Sequence, residues 1–135
     1  MALKFVLRPG EKMVVNGAVI GAGDQQGSIL LFNKAHFLRG REIMREEEAT
    51  TLERRIYFVI QLAYLFPEDA PLNLTRCAEF LEEAKTQHPD RAESFAEIED
   101  EVRHGNYYRA LKLCGRLVKA SDSSGADGSE GDEPN

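Results

Sequence analysis

The fold class follows from one stretch, GSILLFNKAHFLRGREIMREEEATTLERRIYF, residues 27–58. It starts with a strand-like apolar run, passes through a basic segment and an acidic cluster, and ends at the start of an amphipathic helix. No catalytic motif lies inside it or near it. The stretch therefore predicts a β-rich part before it, a helical part after it, and a binding or regulatory protein rather than an enzyme.

The residues up to about position 48 are typical of short antiparallel strands. The apolar runs are LKFVL (3–7), KMVV (12–15), AVI (18–20), SILLF (28–32) and HFLRG (36–40), with REIM (41–44) as a candidate for one more strand. Asn16-Gly17 is a strong hairpin signal, because both residues tolerate the positive φ of a type I′ turn. We predict a small antiparallel sheet or partial barrel, in which SILLF lies either in mid-sheet or at an edge that can pair across a dimer.

The first predicted helix begins directly after the acidic cluster. Thr50 and Glu53 have the spacing of a capping box, in which each side chain accepts the other residue's backbone N–H. Apolar residues then recur with helical spacing from Ile56 to Tyr64, and the helix is apolar on nearly all sides. We predict that this helix is the central buried element and that Pro67 ends it.

Three more helices are predicted over about 73–87, from about 90 to 105, and from 106 onward. Residues 121–135 carry five acidic side chains and hardly any apolar ones, which predicts a disordered acidic tail. The predicted fold class is α+β. We expect one domain over 1–120, with a β-rich part (1–48) and a bundle of about four helices (49–120), followed by the tail (121–135).

Composition and charge exclude several classes of protein. The net charge is −6, yet residues 1–45 hold seven Lys or Arg against three Asp or Glu, so this part is basic. No apolar run approaches the length of a membrane span, and the N-terminus does not resemble a secretory signal, so a cytoplasmic protein is predicted. Cys77 and Cys114, without a CxxC motif, are expected to be buried thiols.

No residue pattern supports catalysis, a metal or a cofactor. His36, His88 and His104 stand alone in sequence, and Glu46–Glu48 project in different directions. The glycines of 21–27 do not have the spacing of a phosphate-binding loop and are expected to be a flexible connection between strands. We predict no catalytic residues, no metal site and no cofactor.

The basic segment is the candidate for nucleic-acid binding. Arg and aromatic side chains on a sheet can clamp phosphates and stack single-stranded bases. A basic edge strand that prevents aggregation would have a similar sequence, so both interpretations stay open. The candidate RNA-binding residues are Lys34, His36, Phe37, Arg39, Arg41, Arg45, Arg54 and Arg55.

The helical part supplies a different candidate. Aromatic and apolar residues near the start and along the stripe of the last helix can form a groove for a partner protein, although an ordinary core would look alike. The candidate partner-binding residues are Tyr107, Tyr108, Leu111 and Leu117.

Several blocks of the sequence resemble the FlbT family of small flagellar regulators. They are MALKFVLRPGEKMVVNGAVI, ILLFNKAHFLRGREIM, TTLERRIYFVIQLAYL and YYRALKLCGRLV, which together cover about residues 1–120. The resemblance implies post-transcriptional control of flagellin through the 5′ untranslated leader of its mRNA, by repression of translation and promotion of decay. In some members of the family the effect is positive.

The resemblance also implies partners. The family acts alongside a companion flagellar protein, FlaF, and supplies no established catalytic residues. Two functions therefore stay open: direct binding of the flagellin mRNA leader by the β-rich part, or an adaptor whose helical part binds flagellin or FlaF. The sign of regulation is open as well, and so is the oligomeric state, with a homo-oligomer as one alternative.

Overall fold

The computed structural model describes residues 2–125, with side chains as far as residue 122. The chain divides into two compact units, Met1–Ile43 and Met44–Asn135. The first contains all the strands and the second all the α-helices of the described chain. The predicted order, antiparallel strands followed by four helices, is confirmed.

The N-terminal unit consists of two small antiparallel sheets. One pairs β1 (Leu3–Leu7) with β4 (Gly27–Leu31). The other has the order β3 (Ala18–Gly21), β2 (Lys12–Val15), β5 (Phe37–Arg39). SILLF is therefore an edge strand rather than a strand in mid-sheet.

The turn between β2 and β3 is the predicted Asn16-Gly17 hairpin. Both residues have positive φ, 49° for Asn16 and 86° for Gly17, as a type I′ turn requires. The Asn16 side-chain oxygen also accepts the backbone N–H of His36 at 2.9 Å, and the Asn16 N–H donates to the His36 carbonyl at 2.7 Å. The hairpin turn thus fixes the residue that precedes β5.

Alternation along the strands builds the core of this unit. Phe5 and Leu7 of β1 point inward and join Met13 of β2 in one buried cluster, while Val6 between them is exposed. Ile29 and Leu31 of β4 are half-buried against the same cluster, and the register places Ile29 opposite the inward Phe5 of β1. On β4 and in the second half of β1 burial thus follows the period of two, whereas on β2 the consecutive residues Met13 and Val14 are both buried.

The expected strand over REIM (41–44) is wrong. Gly40–Glu42 form a 3₁₀ turn instead. The Glu42 carboxylate accepts the backbone N–H of Arg39 at 2.9 Å, and the Ile43 N–H donates to the Gly40 carbonyl, so the chain bends here. A Cβ on Gly40 would lie 2.8 Å from the Lys12 carbonyl oxygen, which is why glycine is needed where the turn approaches β2.

The helical unit contains α1 (Leu52–Leu65), α2 (Ala70–Gln87), α3 (Ala92–Arg103) and α4 (Tyr107–Gly125). Helix α1 packs against α2 and α4, and α3 packs against the same two helices. Short 3₁₀ turns at Pro67–Asp69 and Pro89–Arg91 precede α2 and α3. The buried apolar side chains of this unit include Ile56, Val59, Ile60, Ala63, Leu81, Phe95, Ile98, Ala110 and Leu111.

The N-cap of α1 is Thr51, not Thr50. The Thr51 hydroxyl accepts the backbone N–H of Arg54 at 3.2 Å. The predicted capping box fails because Glu53 is not at the helix surface: it is 4% exposed, and its carboxylate lies 3.3 Å from the Arg91 guanidinium. A buried carboxylate that is paired with a guanidinium is not available to cap a helix.

Gln61 interrupts the apolar run of α1 for a structural reason. Its buried amide accepts the backbone N–H of Met44 at 2.8 Å and donates to the Met44 carbonyl at 2.9 Å. This pair of hydrogen bonds holds the segment that enters the helical unit, since it satisfies both backbone groups of one residue.

Helix α4 runs to Gly125, so it includes the first five residues of the segment predicted to be a disordered tail, and the predicted boundary at residue 121 is too early. The remainder of that predicted tail, 126–135, lies outside the described residues. Between residues 2 and 125, no helix is long and apolar enough to cross a membrane.

Candidate nucleic-acid interface

The eight predicted RNA-binding residues are divided between the two units. Five lie in the N-terminal unit: Lys34, His36, Phe37, Arg39 and Arg41. Arg45, Arg54 and Arg55 lie in the helical unit. Their closeness in sequence therefore does not by itself place them on one surface, and each has to be assessed by its own contacts.

The Arg39 side chain stabilises the N-terminal unit through contacts with other residues of that unit. Its guanidinium donates to the carbonyl of Val6 at 3.0 Å and to the Glu11 carboxylate at 3.4 Å, and it lies 5.7 Å from the centre of the Phe5 ring. The backbone N–H of Arg8 and the Arg39 side chain hold the pKa of Glu11 below its ordinary value of 4.5. Arg39 is thus engaged within the fold.

Phe37 is half-buried and packs against the core of the same unit. Its ring meets Phe5 edge-on, with ring centres 4.7 Å apart. A ring held in this way is not presented for stacking on a base. His36, in contrast, has an exposed side chain next to backbone groups that are both bonded to Asn16.

Arg45 and Arg54 have acidic partners. Arg45 lies 3.8 Å from Glu47 and 3.6 Å from Glu48 in the 3₁₀ turn that follows it. Arg54 forms a 2.6 Å ion pair with Asp122 of α4 and donates to the Glu48 carbonyl. Their positive charges are locally offset, which weakens their attraction for phosphate.

Lys34, Arg41 and Arg55 remain exposed, and none forms an ion pair with an acidic side chain of residues 2–122. In the N-terminal unit the same holds for Lys4, Arg8 and Lys12. Residues 1–43 contain six Lys or Arg against three Asp or Glu, a net charge of +3, whereas residues 44–122 contain eleven against sixteen, a net charge of −5. A polyanion is therefore attracted by the N-terminal unit and repelled by the helical one.

Phe32 is a further candidate, which was not among the eight predicted RNA-binding residues. It follows β4 directly, is 70% exposed, and stands two residues before Lys34. On the same strand Leu30 is also exposed, and Lys4 lies opposite it on β1. The alternation of Ile29 and Leu31 inward with Leu30 and Phe32 outward is readable in the sequence, and it is the signal that could have found this aromatic residue.

The predicted partner-binding residues of α4 differ in exposure. Leu111 is only 2% exposed and belongs to the core of the helical unit. The Tyr108 ring lies 5.9 Å from the ring of Tyr64, with the Lys112 ammonium 5.1 Å from its centre. Leu117 is half-buried. Tyr107 alone of the four lines a groove.

That groove has a volume of about 500 Å³ and lies beside the C-terminal half of α3. Its walls come from Leu74, Ala78 and Leu81 of α2, from Val102 of α3, and from Tyr107. Cys77 of α2, Glu99 and Arg103 of α3, and His104 and Gly105 complete the lining, so the wall is of mixed polar and apolar character.

The two cysteines are free and buried, as predicted. Burial raises the pKa of Cys77 to about 12 and shifts the pKa of Cys114 in the same direction. Both thiols are therefore protonated near neutral pH. In residues 2–122, no group of three His, Cys, Asp or Glu side chains is arranged to hold a metal ion.

Comparison with known protein families identifies the family of this chain. The family model described as flagellar protein FlbT matches residues 3–123. The chain belongs to the FlbT family. The match to the FlbT model covers the N-terminal strands and the helical part together, so both are parts of the family's sequence.

Curated FlbT relatives cover nearly the whole chain. A probable flagellum biosynthesis repressor protein FlbT of Caulobacter sp. is 40% identical over 126 residues, which are 90% of this chain and 95% of the relative. The flagellum biosynthesis repressor protein FlbT of Caulobacter vibrioides is 37% identical over 129 residues, 90% of this chain and 88% of its own. A probable FlbT repressor of Rhodopseudomonas palustris is 30% identical over 122 residues, with 90% and 96% covered.

No solved structure matches the chain. The FlbT resemblance seen in the sequence is confirmed by the family match, and the named FlbT relatives are repressors of flagellum biosynthesis, a regulatory class of protein.

Proposed function

We propose that this FlbT-family chain regulates flagellin synthesis post-transcriptionally, by binding the 5′ untranslated leader of flagellin mRNA through its N-terminal unit, so that translation is repressed and the mRNA decays. The observation that carries the proposal is the exposed Phe32 beside Lys34 on a unit of net positive charge. Family membership supports the regulatory role in flagellum synthesis.

The two kinds of side chain have separate tasks in this proposal. Phe32 stacks on an unpaired base of the leader, a contact that tolerates any base because every base has a π-face. Lys34 and Arg41 contact phosphates, since their charges are not offset by an ion pair within residues 2–122. Arg39 acts indirectly by holding β1 and Glu11 in place.

The overall acidic charge is compatible with RNA binding because the charges are separated along the chain. Attraction of a polyanion depends on the local field within about 10 Å at ordinary ionic strength, not on the net charge of the protein. The negative helical unit repels RNA, which favours the N-terminal unit as the contact.

Fluorescence anisotropy with labelled leader RNA tests the charge contribution. The double variant Lys34→Glu/Arg41→Glu should bind more weakly and show a smaller slope of log K against log salt, by about 0.7 for each phosphate that the variant no longer neutralises. Lys119→Glu, an exposed lysine of α4, is the control for a change of charge outside the N-terminal unit. Equal reductions of affinity in the two variants would contradict the proposed site.

The stacking contribution is tested separately with Phe32→Ala. The loss of one base stack should reduce affinity by about 1–3 kcal/mol with little change in the salt slope. Val19→Ala is the matched control, because Val19 is also highly exposed in the same unit but lies on β3. Unchanged affinity in Phe32→Ala would remove this residue from the proposed interface.

The groove beside Tyr107 favours a second candidate function, an adaptor that binds flagellin or the companion protein FlaF. Ala78→Glu places a charge in the groove wall from an exposed position, whereas Ala96→Glu makes the same change on α3 away from the lining. Under the adaptor proposal only Ala78→Glu abolishes co-purification of the partner, and RNA binding is unaffected. Co-purification that survives in Ala78→Glu would count against it.

A further inference from the structure

Strand β4 has an open edge. Among the described residues it pairs only with β1, so its other side carries backbone groups with no strand beside them. A two-stranded sheet is at the lower limit of independent stability, and an open strand edge is a template for a further strand.

The direction of the backbone groups follows from Arg39. Its guanidinium donates to the Val6 carbonyl, and the Arg8 N–H, on the same side of the chain, donates to Glu11, so both groups are placed on the side of β1 away from β4. In the register Val6 faces Ser28 and Lys4 faces Leu30. Since successive residues of an antiparallel strand direct their backbone groups to opposite sides, these are the pairs without mutual hydrogen bonds. The N–H and C=O groups of Ser28 and Leu30 therefore point to the open edge.

The edge lacks the features that usually prevent pairing. Natural edge strands are protected by Lys, Pro or bulges, but GSILLF (27–32) has no charged residue and no proline. Leu30 is 51% exposed. Four of the seven large apolar side chains exposed in the described chain belong to β1 and β4 or follow them directly: Leu3, Val6, Leu30 and Phe32.

We propose that β4 pairs with β4 of a second copy of the chain, forming a continuous four-stranded sheet across a two-fold axis. A second copy fits because an uncharged strand brings no like charges together when it pairs with itself. The assembly also closes: the outer side of β1 is occupied at Val6 by Arg39, so the sheet stops at two chains.

Symmetry determines the register. A two-fold axis perpendicular to the sheet keeps each residue on its own face, so paired residues must have the same parity. With the axis at Ile29 the whole strand overlaps, and Ser28 of one copy faces Leu30 of the other. These are the residues whose backbone groups point to the edge, and each such pair exchanges both N–H···O=C bonds.

The dimer goes beyond the proposed contact with RNA, since it uses backbone groups at an edge and leaves the outward side chains of the sheet uncovered. It would present Phe32 and Lys34 twice.

Sedimentation velocity of the full chain, in a concentration series reaching hundreds of micromolar, tests the proposal. The mass should rise from one chain towards two. Leu30→Lys should weaken self-association by about tenfold or more, because an edge lysine blocks strand pairing. Val19→Lys, the same change at an exposed residue of β3, should leave it intact. A monomer at every concentration, or equal effects of the two variants, would overturn the proposal.

Cross-linking tests the register without altering the charge of the strand. Chains with Ser28→Cys mixed with chains carrying Leu30→Cys should form a disulfide-linked dimer upon oxidation, because the Cα atoms of a hydrogen-bonded antiparallel pair are about 5.5 Å apart, a separation that a disulfide spans. Mixtures in which Val19→Cys replaces one of them are the control. Cross-links no more frequent than in this control would overturn β4 pairing, while far-UV circular dichroism verifies that each variant is folded.

Discussion

At the scale of single residues, Glu53 shows how a sequence motif and a structural role diverge. Its spacing from Thr50 is that of a capping box, but its carboxylate is buried, 3.3 Å from the Arg91 guanidinium and 3.9 Å from the His88 ring. The backbone carbonyl of Glu53 also accepts the Cys114 thiol. One residue thus links α1 to the turn before α3 and to α4.

Replacement of Glu53 should therefore be costly. Glu53→Gln leaves the Arg91 charge without its partner, and because Arg91 is partly exposed we expect a loss of about 1–3 kcal/mol in the free energy of unfolding. Glu97→Gln, an exposed residue of α3 without an ion pair in the described chain, should change it little. Urea denaturation measures both, and equal midpoints would show that the buried pair does not stabilise the fold.

The cysteines should be inert in the folded chain. With the pKa of Cys77 raised from 9.0 to about 12, and that of Cys114 raised by the same burial, both are protonated near neutral pH. We expect iodoacetamide to label them at least about 100-fold more slowly in the native protein than in urea. Rapid labelling without denaturant would mean that the thiols are accessible.

The raised pKa values of the two thiols also predict that the stability of the fold depends on pH. The folded pKa values lie above the unfolded ones, so the unfolded chain loses its thiol protons first. The stability that these thiols contribute is complete below pH 9.0 and is lost as the pH rises towards about 12. The double variant Cys77→Ala/Cys114→Ala should show a smaller decline in melting temperature over this range, and an identical decline would contradict the assignment.

At the scale of elements, substitution of two adjacent threonines shows which of them is the N-cap of α1. Thr51→Ala removes the acceptor of the Arg54 N–H and should lower the free energy of unfolding by about 1 kcal/mol. Thr50→Ala changes an exposed residue that does not cap α1 and should have little effect. Thermal unfolding of the two variants side by side measures the difference, and a larger loss in Thr50→Ala would reverse the assignment.

The turns and helix ends that were predicted correctly are those determined by residues at the same place in the sequence. Asn16-Gly17 determines its own hairpin, and Pro67 ends α1 because it cannot continue the helix. The error at REIM has both a local cause and a distant one. REIM has a strand-like composition, but the hydrogen bond from the Arg39 N–H to Glu42 and the approach of Gly40 to β2 turn the chain.

At the scale of the whole molecule, the sequence shows that basic residues are concentrated in the N-terminal part. It does not show which basic side chains are paired with an acidic residue and which can bind phosphate. Counting Lys and Arg located the basic N-terminal part. It could not show that Arg39 is held by Glu11, or Arg54 by Asp122, because those partners are 28 and 68 residues away. The candidate interface therefore keeps only part of the basic segment. It gains Phe32, which ends the apolar run before that segment and was not among the predicted RNA-binding residues.

The most direct measurement is ultraviolet cross-linking of the full chain to flagellin leader RNA, with the cross-linked peptides identified by mass spectrometry. Direct contact through the N-terminal unit predicts leader-dependent cross-links within residues 27–41, centred on Phe32, and far fewer with a scrambled RNA. Cross-links confined to residues 52–122, or none above the scrambled control, would contradict it.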